Sequence, residues 1–186
     1  AGGNLNIQAA HITLADNARI TAATFGSGQG GSVFLEAINQ VETHHNSLID
    51  MLTRSKATNA GTGGSLQVRA ENITLADNTT IIAATSGKGQ GGSVLLAATD
   101  QININDNSFI NMLTSCNQAN AGTGGTLEIL AANIILANNA KITAATSGSG
   151  AGGKVRLQAI DQVNLANNSS LNSEANQVGA GGDLAV

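Results

Sequence analysis

At 186 residues with a formal net charge of -4, the chain is long enough for one sizeable domain and carries no basic footprint for nucleic acid. Proline, tryptophan and tyrosine are absent, phenylalanine occurs three times and glycine 23 times, so the core must be built from small and medium aliphatic side chains in a regular space. The single Cys116 excludes an intramolecular disulfide, and no apolar run approaches the roughly 18 residues of a membrane span.

Gly-Gly pairs begin at positions 2, 30, 63, 91, 124, 152 and 181, and they divide the chain into coils. The first coil, 2–29, reads G-G-x-[LV]-x-[IVL]-x-A, then an apolar-x-apolar triplet, then Asn17, then apolar-x-small-x-[TA]. Each of its three runs alternates apolar and polar residues, the period of a half-buried strand. The second coil, 30–62, repeats the phrase with one extra residue before its second strand ("AINQV") and four more in its last loop; its Thr43 is the one polar residue in the triplet. The third coil, 63–90, returns to the short form, and the fourth, 91–123, to the long one, with "ATDQI" and with Cys116 in the long loop. The fifth, 124–151, is short, and the sixth, 152–180, has the extra residue ("AIDQV") without the longer loop. A further coil opens at 181 with "GGDLAV". Successive spacings are therefore 28, 33, 28, 33, 28 and 29, and the repeating unit is a pair of coils, 61 residues.

Three short strands per coil, each stacked on the same strand of the next, predict an all-β chain folded as one parallel β-helix over 1–186. Parallel crossovers are nearly always right-handed, so a right-handed β-solenoid of about six coils is expected. Strands about 4.8 Å apart make it roughly 29 Å long. Leu5, Val33, Leu66, Val94, Leu127 and Val155 form one inward column, and Ala9, Ala37, Ala70, Ala98, Ala131 and Ala159 another, at a tight corner. A third runs Ala22, Met51, Ala83, Met112, Ala144, Ser173, with small and large residues alternating to fill the interior.

One polar column is the same in every coil: Asn17, Asn46, Asn78, Asn107, Asn139 and Asn168. Stacked amides can donate to and accept from one another along the axis, which predicts a structural ladder inside the turn. The alternative is a left-handed turn residue that faces solvent.

The glycines Gly26, Gly28 and Gly31 match the G-x-G-x-x-G spacing of a dinucleotide turn, but strand-like "SVFLEA" follows where a helix is required, and the phrase recurs twice more. Close stacking of loops is the better reason for glycine there. The recurrent aspartate of calcium-binding nonapeptides is absent. His44 and His45, with Glu42 and Asp50 nearby, fall short of a metal site if neighbours on a strand point to opposite faces. On the outer face, Glu36 with Arg69 and Glu128 with Arg156 read as cross-strand ion pairs and not as a catalytic carboxylate pair. Ser32, Ser65, Ser93 and Thr126 form a hydroxyl column with no base in register. Thr21 and Thr143 share their outward column with Asp50, Ile82 and Asn111, which is too irregular for an ice-binding face. No catalytic residue, cofactor or metal site is predicted.

The stretch "LADNARITAATFGSGQGGSVFLEA", residues 14–37, resembles the repeats of large bacterial exoproteins related to filamentous haemagglutinin, and the likeness extends over essentially the whole chain through the D/N-N-x-x-I-x-A-x-T and G-x-G-x-G-G phrases. That resemblance implies a long right-handed β-helix, two-partner secretion and a place outside the cell or on the bacterial surface. The expectation is a non-catalytic shaft segment of an adhesin or matrix filament, with a carbohydrate-binding or polysaccharide-degrading β-helix as the alternative. Since "AGGNLNI" and "GGDLAV" begin and end in register, the segment is expected to continue into further repeats or to stack end to end with other copies. A cell-surface or polysaccharide receptor is the expected partner class, with no nucleic acid and no membrane insertion.

Overall fold

A computed structural model describes residues 2–54, 61–115, 122–175 and 179–186, and in it every regular element is a β-strand. All strand pairs are parallel and join equivalent positions of consecutive coils, so the chain winds as a β-solenoid of about six turns. Three sheets run its length, of seven, six and five strands.

Their partition differs from the sequence expectation in one respect. The first two runs of each coil are one continuous strand, as in Asn4–Leu14, Ser32–Thr43 and Ser65–Leu75, and these make the seven-stranded sheet. The third run supplies three-residue strands such as Leu48–Asp50 and Thr80–Ile82. A two-residue strand then follows, Thr24–Phe25, Thr53–Arg54, Thr85–Ser86, Thr114–Ser115 and Thr146–Ser147, to make the narrowest sheet. Two residues alternate once only, so no period marked them in the sequence.

The long strands absorb the first difference in coil length. Ala9 pairs with Ala37, but the next partners are His11 and Gln40, so the register shifts just after the alanine column. The extra residue of the even coils is expelled there, and Ile38 and Ile160 stand 76% and 85% exposed. Such a bulge leaves the inward alternation unbroken on both sides.

Inside, Val33, Leu66, Val94, Leu127 and Val155 stack in one buried column, and Ala22, Met51, Ala83, Met112 and Ala144 in another, as their spacing required. Ile49, Ile81, Ile110 and Ile142 form a further buried column, in register on the six-stranded sheet. Each buried Leu or Ile contributes about 1.5–3 kcal/mol relative to exposure.

Most of the Gly-Gly residues pack directly against neighbouring backbone. The Gly31 N–H donates to Ala22 O at 2.7 Å, and the Gly125 N–H to Met112 O at 3.0 Å, bonds that tie the start of one coil to the end of the third run of the coil before it. A Cβ on Gly125 would stand 2.5 Å from the Gly92 carbonyl oxygen and 2.6 Å from the Met112 Cβ. Absence of a side chain is what lets the backbone approach so closely.

The Asn column is stacked, but it is not an internal ladder. Asn17, Asn46, Asn78, Asn107, Asn139 and Asn168 are all exposed, and each occupies the left-handed region, as does the residue before it, with φ between 49° and 66°. Two such residues closed by a backbone bond, for example Ala18 N–H to Ala15 O at 3.0 Å, are the signature of a type I′ turn. Asn is favoured because its short polar side chain tolerates this conformation. The continuity along the axis is carried by backbone: the Asn78 N–H donates to Asp106 O at 2.8 Å and the Asn107 N–H to Asn138 O at 2.9 Å. Among the described residues one amide pair within the column bonds through side chains, Asn139 Nδ2 donating to Asn107 Oδ1 at 3.2 Å.

The polar ladder of the interior is threonine. Thr24, Thr53, Thr85, Thr114 and Thr146 are buried in register, and their hydroxyls donate to the carbonyls of Gln29, Thr62, Gln90, Thr123 and Ala151 at 2.7–2.8 Å. Each of those carbonyls also accepts the N–H of the glycine that opens its own coil, as Thr62 O does from Gly30 at 2.9 Å. Both lone pairs are used, and the hydroxyls are satisfied without water.

Candidate functional site

The outer face of the long sheet holds the residues from which a catalytic or binding surface could be built. Ser32, Ser65, Ser93 and Thr126 stand in register at its edge, with the Ser65 hydroxyl donating to Ser32 Oγ at 3.0 Å. Two open grooves meet along this column. One, of about 490 Å³, is lined by Phe34, Gln67, Leu95 and Glu128; the other, of about 360 Å³, by Gln29, Gln90 and the Gly-Gly backbone. Among the described residues no base is hydrogen-bonded to these hydroxyls, and the column offers a row of hydrogen-bonding groups.

One of the two expected ion pairs forms. Arg156 Nη1 lies 3.1 Å from Glu128 Oε1 across adjacent coils. Glu36 and Arg69 are register partners but do not bond: Glu36 Oε2 accepts from Gln8 Nε2 at 2.7 Å, and Arg69 runs along its own strand to the Gln67 amide oxygen at 2.8 Å, with that amide turned to satisfy both groups. An amide partner on each side left neither charge in need of the other. At such exposed positions the difference is worth a few tenths of a kcal/mol.

A denser cluster lies at the turns of the first three coils. His44 and His45 are not on a strand; they fall in the equivalent left-handed turn, where His45 has a φ of 52° and the Ser47 hydroxyl donates to His44 O at 2.7 Å. The turn therefore swings the two imidazoles together, which overturns the expectation that neighbours diverge. Their Nδ1 atoms are 3.0 Å apart and the rings meet edge to face, with centroids 4.5 Å apart. His45 Nδ1 is 3.1 Å from Asp16 Oδ1 in the first coil, and its Nε2 is 3.5 Å from Asp77 Oδ2 in the third. Asp16, His45 and Asp77 hold the same turn position in consecutive coils. Glu42 and Asp50, the acids near in sequence, take no part; Asp50 Oδ1 accepts the Leu52 N–H at 3.0 Å instead. Aligning the turns coil by coil was the signal that would have found the two aspartates.

Cys116 lies outside the described residues. The glycines of the dinucleotide-like phrase precede the strand Ser32–Thr43, so no helix N-terminus follows them to meet a phosphate.

No family model, curated protein or solved structure matches this chain.

Proposed function

We propose that the chain is a non-catalytic shaft segment of an extracellular adhesin or matrix filament, of the kind found in exoproteins related to filamentous haemagglutinin. What supports this reading is the interchangeability of the coils. The Thr-to-carbonyl bond, the Gly-Gly closure and the left-handed residue pair of the turn recur in coil after coil. Apart from His44 and His45, which stand where the other turns carry Ala or Asn and Asp or Asn, the coils repeat one cross-section. A cross-section repeated in this way serves length and stiffness.

The groove beside Phe34 and the serine column favours the alternative, a carbohydrate-binding face. Hydroxyl and amide groups repeated at the coil spacing suit a polymer lying along the axis. A panel of acidic and neutral polysaccharides separates the readings. The shaft reading expects no retention and no released product, with or without calcium; saturable binding lost on Phe34→Ala, or turnover lost on Glu128→Gln, supports the alternative. Antibody labelling of the producing cells tests the location: surface label is expected, and confinement to the cytoplasm contradicts it.

A further inference from the structure

We propose that His44, His45 and Asp77 bind a divalent first-row transition cation and thereby pin the second and third coils together, with Asp16 of the first coil orienting the His45 ring. One potential ligand atom from each of the three residues lies within 4.8 Å of the others. The His45 Nε2 to Asp77 Oδ2 separation of 3.5 Å is close to the roughly 3.3 Å between two donors on a tetrahedral zinc with bonds of about 2.0 Å. When Nε2 ligates, the other ring nitrogen carries the proton, and Nδ1–H donates to Asp16 Oδ1, 3.1 Å away. A carboxylate behind a ligating imidazole fixes its tautomer and orientation, a recurrent feature of histidine metal sites. His44 then gives up its contact with His45 Nδ1 and turns one nitrogen to the ion, with water completing the shell. Two imidazoles and one carboxylate suit zinc, nickel or copper and not calcium or magnesium, which prefer oxygen alone.

A second observation points the same way. The two histidines replace what the fold itself uses at those positions. In the other five turns the residue matching His44 is Ala15, Ala76, Asn105, Ala137 or Ala166. The residue matching His45 is Asp or Asn in every one, the types that best tolerate a left-handed backbone. Both departures occur in one turn, side by side, between two coils that present aspartate.

The repeat supplies its own controls, since His44→Ala and His45→Asn install residues that the same turn carries elsewhere. The experiment is calorimetric titration of the tag-free chain with zinc chloride, with unfolding followed in parallel. One saturable site per chain is expected, with a raised thermal midpoint. Affinity should fall at least tenfold in His44→Ala and in His45→Asn, and less steeply in Asp16→Asn. His11→Ala, which removes the histidine bonded to Asn39 on the long sheet, should leave binding unchanged. Magnesium and calcium should not compete. Absence of saturable binding, equal binding by the His44→Ala/His45→Asn double variant, or displacement by calcium would each overturn the proposal.

Discussion

The Thr114 hydroxyl donates to the Thr123 carbonyl at 2.7 Å across nine residues, while its stacked neighbour Thr85 makes the same bond to Gln90 at 2.7 Å across five. The closure of the coil is thus independent of loop length. A loop of any length that returns its last carbonyl to the threonine leaves the next Gly-Gly pair in register, and this is how coils of unequal length stack without distorting the core.

Thr114→Val keeps the shape and removes the donor. It should lower stability by about 1–3 kcal/mol, because the Thr123 carbonyl loses a partner in a buried site, and Thr114→Ser should recover part of the loss. Urea unfolding of the three proteins checks this; equal midpoints for the parent and the Thr114→Val variant would remove the ladder from the stability of the fold.

Not every buried hydroxyl is an asset. Ser108 Oγ is buried with no partner, and the equivalent position in the next coil is Ala140. Ser108→Ala should be neutral or stabilising, by up to about 1 kcal/mol. A thermal midpoint that falls by several degrees would show that the hydroxyl has a bond that its geometry does not reveal.

At Asn107 the contribution is conformational. Asn107→Gly should cost only a few tenths of a kcal/mol, Asn107→Ala about 1 kcal/mol, and Asn107→Val more, since a β-branched residue resists a φ of 61°. An internal amide ladder predicts another order, with Gly as damaging as Ala. Denaturant midpoints of the three variants distinguish the two.

Gly125→Ala should destabilise by about 1–3 kcal/mol or more, because the new methyl would meet the Gly92 carbonyl and the Met112 side chain. Gly181→Ala, with nothing within 4 Å of the added carbon, is the matched control. Comparable losses at the two positions would mean that chain entropy, and not close approach, selects glycine.

The solenoid was legible in the sequence because its inward columns are apolar and strictly spaced. Val33, Leu66 and Val94 could be aligned without coordinates, and the register matched. The interior threonines were hidden for the opposite reason: Thr85 is followed by a polar residue in a two-residue strand, and a buried hydroxyl looks like a surface one until its acceptor is known. The asparagine column was conspicuous but led to the wrong side of the wall, since an invariant polar residue can mean a required backbone conformation as easily as a required hydrogen bond. The histidine cluster depended on the same turn. A left-handed pair reverses where side chains point, and strand alternation does not apply to it.

The most direct measurement on the shaft reading is to insert a second copy of residues 63–123 after Thr123, so that the junction reproduces the Thr-to-Gly step already present at Thr62 and Gly63. Interchangeable coils predict a protein longer by two strand spacings, about 10 Å by small-angle scattering, with an unfolding midpoint equal to or above that of the parent because each added unit contributes its own interfaces. A lengthened chain that unfolds at a lower midpoint, or that scatters as the original solenoid with an unfolded insert, would contradict the shaft.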